Sequence, residues 1–155
     1  MTSKVCLTEY FIETNNLSEK IIAKIKSGNC SDIFEGICKL CGDSIIIDYI
    51  YFKHFATNST YDLITKVITK NIDIILETES TFTVHVNMKS LSIVDVDKHI
   101  TYMQYISNHL KEKYHKKLLK CHIYNASYIF KNIYNIISAF IDKETQDKIH
   151  LVKNT

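Results

Sequence analysis

Apolar residues recur along this chain with two different spacings, and the spacing separates helices from strands. From Tyr61 to Ile75 they fall every three or four positions, which predicts an amphipathic helix. Between Phe82 and Met88 apolar and polar residues alternate, which predicts a strand. The stretch LLKCHIY at 118–124 is typical of another strand.

The remaining patterns complete an alternating order of elements. They predict helices over 17–27, 31–41, 95–114 and 127–141, and strands over 44–52 and 148–152. The resulting order is α-α-β-α-β-α-β-α-β. Strands that alternate with helices favour right-handed crossovers and a mostly parallel sheet. The predicted fold class is therefore α/β, with a mostly parallel sheet flanked by helices and preceded by two short helices.

The helix over 127–141 is unusually apolar. Its apolar residues cover well over half of its circumference: Ile129, Phe130, Ile133, Ile136, Ile137, Phe140 and Ile141, with Tyr128 and Tyr134 beside them. Such a helix is normally buried on two sides. Two interpretations are open. The helix is sandwiched between the sheet and the N-terminal helices, or one of its sides faces the sheet and the other a ligand.

Composition excludes several classes of protein. The chain has 155 residues with a formal net charge of +2, which suits one domain and is far from the strongly basic footprint of a nucleic-acid binder. The first residues lack the apolar core of a signal peptide, and no run approaches the ~20 apolar residues of a membrane span. We therefore expect a cytoplasmic protein that does not bind nucleic acid.

Cysteine and histidine offer only weak catalytic or metal signals. Cys38 and Cys41 form one CxxC, but no second ligand pair follows at zinc-site spacing. His85, His122 and His150 each lie mid-strand and would approach one another if their strands were neighbours. Cys121 and His122 are consecutive on a strand and point to opposite faces, so they form no dyad. We predict no catalytic residues, no metal site, no cofactor and no enzymatic activity.

The chain resembles the CRAL-TRIO lipid-binding domain family from about residue 80 to 152, and more loosely over 43–80. The resemblance begins with an aromatic residue before a strand, Tyr114, and continues through Asn125-Ala126-Ser127, Phe130, Phe140-Ile141-Asp142, Thr145 and Lys148-Ile149. Upstream, FTVHVNMKSLS at 82–92 is similar to the family's preceding strand. The chain departs from the family pattern where Ser127 and Ala139 replace prolines, Tyr134 a frequent Trp, Asn87 an Asp and Ser90 a Gly.

The resemblance implies a sandwich in which a mostly parallel sheet forms the floor of a lipid pocket and helices form its walls. In members that bind phosphatidylinositol, the Thr and Lys of Thr-x-x-Lys contact the headgroup phosphate, and these are Thr145 and Lys148 here. Lys116 replaces an acidic residue that helps to bind inositol, which would favour an anionic headgroup. The implied hydrophobic pocket consists of Met88, Ile129, Phe130, Ile133, Tyr134, Ile137, Phe140 and Ile141.

The resemblance also predicts the domain organisation. Residues 1–42 would form an N-terminal helical segment, and residues 43–155 a minimal CRAL-TRIO-like domain in a single globular unit. Family members continue past the Lys-Ile strand into a gating helix that covers the lipid, whereas this sequence stops at Thr155. We therefore expect a truncated and divergent member without the gating helix.

Two functions remain open at this point. The first is non-enzymatic binding of a lipid or small hydrophobic molecule, such as a phosphoinositide or anionic phospholipid, for carriage or presentation. The second is a protein-interaction scaffold that has lost lipid binding, with a homodimer or another protein as partner. The basic run between Lys111 and Lys117 has two interpretations. It is a solvated helix end that the helix dipole stabilises, or it contacts the anionic headgroups of a membrane surface.

Overall fold

The computed structural model describes residues 17–28, 30–127 and 130–152. The helices in these ranges are α1 (Leu17–Lys26), α2 (Cys30–Ile37), α3 (Tyr49–Phe55), α4 (Tyr61–Leu76), α5 (Ile93–Lys113), α6 (Phe130–Ile137) and α7 (Lys143–Asp147). A short 3₁₀ helix, Ser138–Phe140, joins α6 to α7. The strands are β1 (Cys38–Cys41), β2 (Ser44–Asp48), β3 (Phe82–Asn87), β4 (Leu118–Tyr124) and β5 (Ile149–Leu151).

These strands form one sheet in the order β1-β2-β3-β4-β5. β1 runs antiparallel to β2, and the other neighbours are parallel. Because each parallel crossover steps to the next strand in the same direction, right-handed connections place their helices on one face of the sheet. This arrangement confirms the predicted α/β class with a mostly parallel sheet.

Strand β1 corrects the predicted helix over 31–41, which ends at Ile37. Cys38 pairs with Ile47 and Cys41 with Ser44 in a tight hairpin. Its two-residue turn begins at Gly42, which has φ +62°. Glycine is favoured at the first central position of such a turn because it has no Cβ to clash. The hairpin therefore overrides the helical pattern of the preceding residues.

A second correction concerns the predicted strand over 44–52, which ends at Asp48. The Asp48 carboxylate accepts a hydrogen bond from the backbone N of Ile50 and so caps α3. The aromatic and β-branched residues of α3 resemble strand residues, but Tyr49, Ile50 and Phe55 are buried as parts of a helix. Here the local cap and tertiary packing outweigh the strand propensity of the side chains.

Register aligns side chains into rows across the helix-covered face of the sheet. The amino row, nearer the starts of the parallel strands, consists of Ile45, Val84, Cys121 and Ile149. The carboxyl row, two residues further along each strand, consists of Ile47, Val86, Ile123 and Leu151. Val86 and Ile123 are buried in a cluster with Val96 of α5 and Phe130 of α6. Val86 and Ile123 of the carboxyl row are thus packed against two helices, whereas Leu151 at the end of the row is exposed.

Buried polar side chains form a hydrogen-bonded group at the strand ends, just beyond the carboxyl row. Asn87 is completely buried, and its amide donates a hydrogen bond to Asp48 (Nδ2–Oδ1 3.3 Å). Asn125 in turn donates to Asn87 (Nδ2–Oδ1 3.0 Å). Burial raises the pKa of Asp48 to about 6, against the opposing effect of its hydrogen bonds from Ile50 and Asn87.

Candidate functional site

A cavity of about 250 Å³ lies between the amino row and the ends of two helices. Its lining is mostly apolar inside and charged at the rim. The residues that line it are Phe82, Val84, Ser107, Leu110, Lys111, Tyr114, His115, Lys116, Leu118, Cys121, Ile141, Asp142, Glu144, Thr145, Lys148 and Ile149.

The floor of the cavity is a product of strand register. Val84, Cys121 and Ile149 are consecutive members of the amino row, so parallel pairing brings three distant residues side by side. Phe82 pairs with Leu118 at the outer end of the floor. Burial raises the pKa of the Cys121 thiol to about 12, so the thiol stays protonated at neutral pH and forms part of an apolar surface.

One stripe of α5 forms the cavity wall. Ser107, Leu110 and Lys111 follow one another at helical spacing, and Tyr114 continues the stripe at the C-cap. The Tyr114 hydroxyl donates hydrogen bonds to Asp73 (Oη–Oδ1 2.7 Å) and to the Thr69 carbonyl (3.1 Å). Burial and then the Asp73 hydrogen bond raise the pKa of Tyr114 above its usual range. The neutral phenol therefore ties the wall to α4.

Thr145 and Lys148 reach the rim because α7 is fixed at both ends. At its start, the Asp142 carboxylate accepts a hydrogen bond from the Thr145 backbone N (3.2 Å). Hydrogen bonding from Thr145, helped by Lys111, holds the pKa of Asp142 below its usual range. At its end, the Lys148 carbonyl accepts from Cys121 N (2.9 Å), which joins α7 to the sheet.

Lys116 reaches the rim from the turn between α5 and β4. Its backbone has φ +62°, a left-handed conformation that non-glycine residues seldom adopt. The turn is closed by a hydrogen bond from Lys117 N to the Tyr114 carbonyl (2.9 Å). The three residues predicted to contact a headgroup, Thr145, Lys148 and Lys116, thus line one cavity, and their role as ligand contacts stays a prediction.

The other predicted pocket residues are distributed differently. Ile141 lines the cavity, whereas Phe130 is buried against the sheet, and Tyr134, Ile137 and Met88 pack on the same cluster. Ile129 and the side chains of Ile133 and Phe140 lie outside the described residues. Phe130, Tyr134 and Ile137 of α6 therefore contribute to the protein core, and a ligand contact by this helix stays a prediction.

The sequence-based prediction missed much of the cavity lining. The stripe on α5 was visible as helical spacing, but nothing in that spacing marked it as the side facing a void. The acidic residues Asp142 and Glu144 were not predicted as part of the rim, because no pattern in the sequence marks them as facing a cavity. The floor could be found only after the register of β3, β4 and β5 was known.

The cysteine and histidine motifs do not converge on a metal site among the residues that the structure describes. Cys38 and Cys41 are three residues apart on β1, so their side chains point to opposite faces of the sheet. His85, His122 and His150 do form a row on the face away from the cavity, with ring centroids 5.0 and 5.9 Å apart. As predicted, Cys121 and His122 lie on opposite faces.

Comparison with known proteins identifies the class that this fold and cavity define. A family model described as the CRAL/TRIO domain matches residues 42–155, and the chain therefore belongs to the CRAL/TRIO family. Domains of this family typically bind lipids or other hydrophobic ligands. The predicted family and fold class are thereby confirmed.

Solved structures support the same fold. The crystal structure of Sfh5 matches with a TM-score of 0.62 at 14% sequence identity, over 78% of this chain and 48% of that one. The chain thus corresponds to about half the length of Sfh5. A search of the curated proteins gave no match. Among the described residues, no helix is long and apolar enough to cross a membrane.

Proposed function

We propose that this chain binds one small amphiphile with an anionic group in the cavity between the amino row and α5 and α7. The observation that carries the proposal is the combination of an apolar floor with Thr145, Lys148 and Lys116 at the rim of the same cavity. An apolar chain would lie on Val84, Cys121 and Ile149. The anionic group would accept hydrogen bonds from the hydroxyl and the two ammonium groups.

The energies of such a complex are adequate for binding. Each CH₂ group removed from water contributes ~0.8 kcal/mol, so even a short chain stabilises the complex by several kcal/mol. A hydrogen bond between charged partners adds about 1.5–3 kcal/mol. The Lys148 side chain is one-quarter exposed, which leaves its ammonium within reach of a ligand at the rim.

Native mass spectrometry of the purified protein, followed by extraction, would reveal a ligand that copurifies. Binding would then be measured by calorimetric titration with dodecanoate as the probe. Lys148→Gln should weaken binding by roughly tenfold, since it removes one charge-assisted contact. Lys143→Gln is the matched control, because Lys143 lies at the other end of α7 from Lys148, is exposed and is not part of the cavity lining. Equal affinities of the two variants would contradict the proposed site.

A cavity-filling variant tests the floor independently of charge. Ser107→Leu places a larger apolar side chain in the wall of the cavity, on a helix where leucine is well tolerated. We expect it to abolish probe binding while circular dichroism and the melting temperature stay close to those of the parent. Unchanged probe binding by a folded Ser107→Leu protein would place the ligand elsewhere.

The second candidate function is a protein-interaction scaffold. The packing of Phe130, Tyr134 and Ile137 against the sheet favours it, because these side chains fill space that a larger ligand pocket would require. Ile136, on the same helix, is 37% exposed. Light scattering after size exclusion would test this function. A stable dimer that binds no amphiphile would favour the scaffold over the carrier.

A further inference from the structure

The rim of the cavity carries charges of both signs. Among the described residues that line it, Lys111, Lys116 and Lys148 are cationic, and Asp142 and Glu144 are anionic. With His115 counted as neutral, three positive and two negative side chains leave a net charge of +1. An anionic ligand would therefore meet two carboxylates as well as three ammonium groups.

Ion pairs already occupy two of the lysines. Glu144 lies 3.7 Å from Lys148 (Oε1–Nζ), one helical turn away. Asp142 lies 3.9 Å from Lys111 (Oδ2–Nζ). Lys116 makes no ion pair with any residue in the described ranges. The carboxylate of Glu144 thus stands at Lys148, where the anionic group of a ligand would bind.

These pairs are partly exposed, and such pairs contribute only about 0–1 kcal/mol. A ligand anion could therefore exchange for Glu144 at Lys148 at little cost. The displaced carboxylate would nevertheless remain close by, because it is attached to the same short helix. A second negative charge on the ligand would then lie near a like charge, which is unfavourable.

The size of the cavity adds a second restriction. At about 250 Å³ it is slightly smaller than the roughly 300–1,000 Å³ typical of pockets for drug-sized ligands. This volume suits one chain, or a headgroup with a short length of chain, better than a lipid with two long chains. Charge and volume therefore favour the same kind of ligand, a small amphiphile with one negative charge.

We propose that Glu144 is a specificity-determining residue that restricts this cavity to single-chain amphiphiles with one negative charge. This inference rests on the proposed function and refines it by ligand class. The single charge is either a carboxylate, as in a fatty acid, or a phosphodiester, as in a lysophospholipid. Ligands with a phosphate monoester are disfavoured because the carboxylate of Glu144 repels their second charge.

Calorimetric titration with three ligands of equal chain length tests the inference. Dodecanoate and a lauroyl lysophosphatidylglycerol carry one negative charge, whereas dodecyl phosphate carries nearly two at about pH 8. The parent should prefer the two monoanions, and the better of them identifies carboxylate or phosphodiester as the recognised group. Glu144→Gln should shift the affinity ratio towards dodecyl phosphate by roughly tenfold.

Asp147→Asn is the matched control. Asp147 is an exposed acidic residue on the same helix, forms its own pair with Lys143 (3.7 Å) and is not part of the cavity lining. It should leave the ratio of affinities unchanged. If Glu144→Gln binds all three ligands with the parent's ratio, the inference is wrong while the proposed function stands. If neither the parent nor Glu144→Gln binds any of them, both are wrong.

Discussion

Two rows of the same sheet face have different surroundings. Side chains of α5 and α6 cover the middle of the carboxyl row, where Val86 and Ile123 are buried against Val96 and Phe130. The amino row, two residues away along each strand, opens into the cavity at Val84, Cys121 and Ile149, which are only partly buried at the edge of the same cluster. The same helix, α5, passes over both rows, with Val96 packed against the first and Ser107 lining the second.

Side-chain packing separates the two rows. Phe130 and Val96 are buried over the carboxyl row, whereas Ser107 and Lys111 stand beside the cavity over the amino row. A close-packed interior leaves few voids larger than a water molecule, so a cavity of this size is an exception within the fold. The carboxyl row should therefore determine stability, and the amino row ligand binding.

The largest effect should follow from truncating a side chain that packs over the carboxyl row. Phe130→Ala should lower the free energy of unfolding by about 3–5 kcal/mol, because Phe130 is only 6% exposed and its removal leaves a cavity. Leu110→Ala should cost less, about 1–2 kcal/mol, because Leu110 is only partly buried and borders the cavity. Urea denaturation of both variants measures the difference. Similar losses would mean that the two rows are not distinct in packing.

The buried carboxyl group of Asp48, just beyond the carboxyl row, should make the free energy of unfolding depend on pH. The pKa of Asp48 is about 6 in the folded protein and 3.8 when exposed. Because the folded protein binds this proton more tightly than the unfolded chain, the free energy of unfolding is highest below about pH 4. It falls by about 3 kcal/mol as the pH rises through 6.

Asp48→Asn should remove this dependence. Asparagine keeps an acceptor oxygen for Ile50 and Asn87 but carries no charge to bury. The variant should match the parent at pH 4 and exceed its free energy of unfolding by up to about 3 kcal/mol at pH 8. Asp147→Asn, an exposed change, is the control. A variant with the parent's pH profile would show that Asp48 is not the titrating group.

The smallest effect should come from the rim of the cavity, beside the amino row. Lys116→Gly relieves the left-handed backbone and should raise the free energy of unfolding by about 0.5–1 kcal/mol. The same change removes a rim charge and should weaken probe binding. Lys116→Gln should lose the same affinity without gaining stability. A glycine variant that is less stable than the parent would mean that the lysine side chain itself supports the turn.

The sequence predicted long elements better than short ones. The strand over 118–124 is reproduced as β4, and the helix that follows Thr60 as α4. β1 was missed because four residues carry too little periodicity to outweigh a helix-like context. The end of β2 was misjudged because the side chains of α3 favour strands, while the capping contact of Asp48 depends on three-dimensional geometry.

The candidate site was predicted only in part. Thr145, Lys148 and Lys116 followed from the family resemblance, and all three line one cavity. The void itself could not be predicted, because its lining comes from several strands and helices that meet only in the folded chain. The pattern of the apolar helix fits both a core and a ligand role, and in the structure Phe130, Tyr134 and Ile137 pack in the core.

The wall of the cavity has a consequence for how this chain can change over evolution. Ser107, Lys111 and Tyr114 share one stripe only because α5 runs unbroken from its cap at Ser92. One inserted or deleted residue within the helix would rotate all later side chains by about 100° and turn the stripe away from the cavity. Relatives that keep the cavity should therefore vary α5 by replacement at constant length, and place their insertions in loops such as residues 57–60.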